Sequence, residues 1–168
     1  KQQYFTRLAE RLFQRLNVRC EVSAAGNHAA NIWELIGPAS LEVFPDVSVT
    51  VERLRTAGYR LAVISNWQCG LAHFCEDLGV AGYFDEVVAS AEIGYEKPSP
   101  EIFQEACSRL RVPADRILHV GDTPEDDIEG AGRAGIRAVL ICRETPASSG
   151  AGTDIRSLEE LPALLGVS

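Results

Sequence analysis

From Pro45 onward, short apolar runs alternate with stretches whose apolar residues recur at helical spacing. Val47, Val51 and Leu54 mark a helix that Gly58 closes, and Leu61-Ala62-Val63-Ile64 follows as an apolar strand. Leu71, Phe74, Cys75 and Leu78 stand at i, i+3, i+4 and i+7, a helix that Gly79 ends. Glu86-Val87-Val88-Ala89 reads as a second strand. Ser99-Pro100 reads as a helix start, with the serine as cap and the proline in the first turn. Ile102, Phe103, Ala106, Cys107 and Leu110 are its expected buried stripe. Ile117-Leu118-His119-Val120 and Ala138-Val139-Leu140-Ile141 are two more strands, separated by a helix on Ile128, Ala131 and Ala134 that Gly135 stops. A Gly/Ser-rich loop over residues 145–153 leads to a last helix on Leu158, Leu161 and Leu165.

Apolar strands alternating with amphipathic helices imply right-handed crossovers and a parallel sheet buried on both faces. Ligands bind beyond the carboxyl ends of such strands, which directs attention to the loops after Ile64, Ala89 and Val120. Residues 1–44 read differently. Phe5, Leu8, Leu12 and Leu16 recur at helical spacing, Ile32, Leu35 and Ile36 predict a second helix ending at Gly37-Pro38, and no strand separates them.

A chain of 168 residues accommodates one domain, or one domain with a small appendage. With 46% hydrophobic and 24% charged residues, it has an ordinary globular balance. A formal net charge of -8 argues against nucleic acid as a partner, yet allows a small phosphorylated substrate held in one locally positive pocket. Cys20, Cys69, Cys75, Cys107 and Cys142 lack the spacing of a zinc or redox pair, so free thiols in a reducing compartment are expected. The apolar runs are too short to cross a bilayer, so no membrane partner is expected. No secretion signal opens the chain, and the expectation is the cytoplasm. Lys1 opens a chain without methionine, so further residues are expected to precede it.

Unusual polar residues fall in all three loops. Ser65-Asn66 offers a hydroxyl and backbone N–H groups before a helix, suited either to capping that helix or to a phosphate oxygen. In Gly94-Tyr95-Glu96-Lys97-Pro98-Ser99-Pro100, two prolines stiffen the backbone after Lys97, which is either a surface lysine in a turn or a fixed positive charge. In Gly121-Asp122-Thr123-Pro124-Glu125-Asp126-Asp127, four carboxylates either complement a helix dipole or gather a hard cation such as magnesium.

Taken together in this order, the three loops resemble the haloacid dehalogenase-like superfamily. Leu61 to Asn66 match its second motif, Lys97 within Gly94 to Pro100 its third, and Gly121 to Asp127 its fourth. The resemblance runs from about residue 45 to the end and implies an α/β fold: a three-layer Rossmann-like parallel sheet with a small α-helical cap. Residues 1–44 would be part of that cap, and residues 45–168 the core without its first strand. It also implies a hydrolase of small phosphate esters that works through an aspartyl-phosphate and magnesium (Mg2+). Ser65, with the Asn66 N–H, would bind the phosphoryl group, and Lys97 would neutralise charge on it. Asp122 would hold the metal with Asp127, Asp126 being the alternative partner. The family's Asp-x-Asp motif is absent from these residues, so the nucleophile is expected upstream of residue 1. Asp46 has no second aspartate two residues on and reads as a cap for the helix that follows it.

A 2-haloacid dehalogenase, a phosphomutase and a non-catalytic interaction protein are the rival readings; Gly121-Asp122 favours the phosphatase. His119 lies in an apolar strand and reads as packed or hydrogen-bonded, while His28 and His73 lack partners at ligand spacing. Trp33 reads as core, and Trp67 as a wall facing the substrate. Lys97→Ala is expected to fold normally and lose most activity. Substrate identity and oligomeric state are not legible.

Overall fold

The computed structural model describes residues 42–67, 69–143 and 154–167, and residues 43–168 form one compact unit. The helices expected within residues 1–41, with Cys20, His28 and Trp33, and the loop expected at 145–153, lie outside the described residues. Helix α1 (Asp46–Thr56) leads to β1 (Ala62–Ser65), α2 (Leu71–Asp77) and β2 (Glu86–Ala89). A short α3 (Ser90–Ile93) and the longer α4 (Pro100–Leu110) precede β3 (Leu118–Gly121). The helix after β3 opens as a π-helical turn, Pro124–Glu129, and continues as α5 (Gly130–Arg133) before β4 (Arg137–Leu140). The chain then reaches a 3-10 turn at Leu158–Glu160 and α6 (Leu161–Leu164).

Strands β1 and β2 pair in parallel, as do β3 and β4, and among the described residues the two ladders do not pair with each other. Successive strand residues face opposite sides, so one strand feeds two cores. Val88 packs with Ile102, Phe103 and Ala106 of α4, whereas the adjacent Ala89 packs with Leu71 and Cys75 of α2. Ile64 and Val63 of β1 divide between the same two cores. Helices therefore cover both faces of the strands, the layering of an α/β Rossmann-like fold. Phe103 is fully buried, a burial worth about 1.5–3 kcal/mol relative to an exposed ring.

Two expected caps are not made. Ser99 occupies the N-cap position of α4, but its hydroxyl donates to the Glu101 carboxylate instead of satisfying the helix backbone. Asp46 sits just inside α1 and does not cap it. Its buried carboxylate accepts from Arg143 Nη1 at 2.8 Å and Nη2 at 3.1 Å, from Ser157 Oγ at 3.0 Å and from the Leu158 N–H at 2.8 Å. Burial alone would raise the Asp46 pKa, but these bonds and the Arg143 charge hold it below the usual carboxylate value. Asp46 thus joins the start of the core to the end of β4 and to the C-terminal turn.

Candidate active site

Three loops meet on Lys97. Gly94 ends α3 at φ 83°, a left-handed conformation that glycine adopts without a Cβ penalty, and turns the chain toward the lysine. The Lys97–Pro98 peptide is cis. The Asn66 side chain reaches across from the end of β1: Lys97 N–H donates to its Oδ1 at 2.6 Å, and its Nδ2 donates to Lys97 C=O at 2.9 Å. At the other end of the residue, Lys97 Nζ donates to Asp127 Oδ1 at 2.5 Å. The lysine side chain is only 13% exposed and the aspartate 2%, which rules out the surface-lysine reading.

Asp127 is the hub of this cluster. His119 Nε2 lies 2.9 Å from the same Oδ1, and because an ionised carboxylate only accepts, that nitrogen carries the proton. Oδ2 accepts from the Thr123 N–H at 3.0 Å, while the Asp127 N–H donates to the Thr123 carbonyl at 2.8 Å, a reciprocal pair that closes the π-helical turn. Burial pushes the Asp127 carboxyl up, but the hydrogen bonds from His119 and Lys97 and the lysine charge outweigh it and hold the group well below the carboxylate range. A Cβ at Gly121 would collide with this carboxylate, so the glycine makes room for it. Phe103 supports His119 from the core, edge-to-face at 5.1 Å.

The other expected site residues are less engaged. Ser65 ends β1, half-buried, and its hydroxyl makes no hydrogen bond with any described residue. Asp122 is exposed and, among the described residues, its carboxylate hydrogen-bonds only the Thr123 hydroxyl, at 3.4 Å. Asp126 is half-buried. No three His, Cys, Asp or Glu side chains among the described residues gather closely enough to form a metal cage alone. Trp67 stacks on Phe74 at 5.0 Å between ring centroids, so this face of the ring packs on α2. His73, expected to lack a partner, lies 2.9 Å from Glu76 on the exposed face of α2.

The sequence reading missed the Asn66 side chain as a clamp on Lys97; His119 is packed and hydrogen-bonded as expected, but the sequence did not name Asp127 as its partner. The His119 partner lies eight residues downstream, on the far side of a strand end and a glycine.

The family model described as haloacid dehalogenase-like hydrolase matches residues 2–135. A glyceraldehyde 3-phosphate phosphatase of Methanopyrus kandleri is 43% identical over 109 residues, 62% of this chain and 46% of that protein. The chain spans about half the length of the first curated relatives it matches. Among solved structures, a HAD phosphatase from Thermococcus onnurineus aligns with TM-score 0.76 and 25% identity, over 99% of this chain and 90% of that one. A 2-haloacid dehalogenase from Pseudomonas syringae aligns with TM-score 0.70 and 27% identity, over 98% and 80%.

Proposed function

The chain belongs to the haloacid dehalogenase-like hydrolase family, and on that premise we propose that the whole protein is a magnesium-dependent phosphatase of small phosphate esters. The observation that carries this reading is the largely buried Lys97 side chain, 13% exposed and fixed at both ends of its residue at the carboxyl side of the parallel strands. Phosphoryl transfer depends chiefly on positioned charge, and a lysine held this way supplies it without reorganising during the reaction. In the proposed reaction an aspartate from outside residues 1–168 attacks phosphorus, and the ester oxygen leaves with a proton from a second acid. Water then cleaves the aspartyl-phosphate, releasing inorganic phosphate and regenerating the carboxylate. The Ser65 hydroxyl, unbonded among the described residues, donates to a phosphoryl oxygen together with the Asn66 N–H, and Lys97 neutralises charge on the nucleophile and the phosphoryl oxygens.

The donor set fits magnesium, which commonly takes one or two carboxylates and fills its other positions with water and substrate phosphate. The exposed Asp122 would hold the ion. Asp127, whose two oxygens already accept three hydrogen bonds, suits an indirect role, with Asp126 as the alternative direct partner. The bound ion supplies positive charge at the phosphoryl oxygens. No described helix is long and apolar enough to cross a membrane, and the free Cys69, Cys75, Cys107 and Cys142 support a reducing compartment such as the cytoplasm.

The test is phosphate release from p-nitrophenyl phosphate and glyceraldehyde 3-phosphate by the full-length protein. Activity should vanish with chelator and return with magnesium, and Asp122→Asn should mimic the chelator. Turnover indifferent to both treatments, or chloride release from 2-chloropropionate without phosphatase activity, overturns the proposal.

A further inference from the structure

We propose that the Asn66 side chain is a positioning element for catalysis that acts through Lys97 and not through the substrate. The inference rests on the phosphatase reading of the site and adds to it a role for a side chain so far considered only for its backbone N–H. Its amide presents an acceptor and a donor side by side, and it uses one of each on a single residue, the N–H and C=O of Lys97. The two residues lie 31 positions apart, on loops that follow different strands. The next residue reinforces the joint: the Trp67 carbonyl accepts from the Ala91 N–H at 3.1 Å and from Ser90 Oγ at 3.1 Å. The β1 loop is thereby stitched to the segment that carries Lys97.

A long lysine side chain is useful as a fixed charge only if its point of origin is fixed. Asp127 restrains the ammonium, but a carboxylate contact at the tip leaves the stem free to swing. Asn66 removes that freedom at the root. A planar amide holds donor and acceptor side by side at the spacing of one residue's N–H and C=O: a carboxylate loses the donor, and alanine loses both. Deleting the side chain leaves the Asn66 N–H in place, so Asn66→Ala separates the clamp from any direct phosphate contact by the backbone.

A double-mutant cycle on the full-length protein, with p-nitrophenyl phosphate as substrate, tests this. Thermal melts establish that each variant is folded at the assay temperature. Asn66→Ala is expected to lower kcat at least 10-fold, since a misplacement of about 1 Å costs roughly 100-fold in rate. In a Lys97→Met background the same change should alter the residual rate by less than about 2-fold, because a residue acting through Lys97 has nothing left to position. If the alanine variant does not fold, Asn66→Asp, which keeps the acceptor and loses the donor, carries the same comparison. Equal losses in both backgrounds overturn the proposal, as does an unchanged rate for the Asn66 variant when Lys97→Met alone is impaired. A near-normal rate for Lys97→Met is the distinct result that sinks the site reading and the clamp together.

Discussion

Lys97→Met tests the geometry of the site through stability. At 2.5 Å and an effective dielectric constant of about 20, the Lys97–Asp127 attraction is roughly 7 kcal/mol gross, most of it offset by taking both charges out of water. The net value of the pair is therefore modest, but removing one partner strands the other. A buried charge left alone typically costs about 3–5 kcal/mol. Asp127 keeps its bonds from His119 and the Thr123 N–H, so Lys97→Met belongs near the lower end of that range. Asp127→Asn leaves the lysine ammonium buried against a neutral amide and belongs higher. The double variant Lys97→Met/Asp127→Asn removes both charges and should be more stable than the two single losses together imply, by about 2 kcal/mol. Urea unfolding of the full-length protein, followed by tryptophan fluorescence, reads this directly. With a slope of about 1–3 kcal/mol per molar, a loss of 3 kcal/mol moves the midpoint by about 1 M or more. An unchanged midpoint for Lys97→Met, or strictly additive single effects, refutes the buried pair. Lys97→Ala is expected from the sequence to fold normally because the lysine charge is assigned to turnover; the ion pair with the buried Asp127 adds an expected cost in stability.

Asp46→Asn should cost about 2 kcal/mol at neutral pH, because bonds from Arg143, Ser157 and Leu158 lose their charged acceptor. The folded pKa of Asp46 lies below the ordinary aspartate value of 3.8, so the unfolded state binds more protons between the two values and stability rises with pH there. The contribution is complete above that window and lost as pH falls through it, so the variant's acid unfolding limb should be flatter below about pH 4; parallel limbs count against the pairing. Gly121→Ala should destabilise by about 1–3 kcal/mol and depress turnover, since its Cβ displaces the Asp127 carboxylate that holds Lys97. A variant that is both stable and fully active shows that the glycine is not needed there.

What the sequence disclosed and what it withheld divide by distance along the chain. Strand β2 has the limits its apolar run predicts, and the other three strands lie within one residue of theirs, because backbone pairing follows local apolar pattern. The buried stripe of α4 is Ile102, Phe103, Ala106 and Leu110 for the same reason, with Cys107 half-buried at its margin. Side-chain polar partners obey no such local rule. Ser99 and Asp46 were read as caps because the nearest backbone was the only partner the sequence offered, whereas the Asp46 carboxylate is spent 97 and 112 residues away, on Arg143 and Leu158.

The same limit explains the site. Ser65, Lys97 and Asp122 announce themselves as polar residues at the ends of apolar runs. Asn66 announces itself in the same way, but the use of its side chain and the partner of His119 do not, since those contacts exist only once β1, β2 and β3 are folded. The chain of dependence then runs in one direction. Phe103 packs beneath His119, His119 and Gly121 set the Asp127 carboxylate, and Asp127 holds the ammonium while Asn66 holds the backbone of the residue that bears it. Substitutions behind Asp127 should therefore act on stability and charge together, whereas a substitution at Asn66 should act chiefly on the position of Lys97.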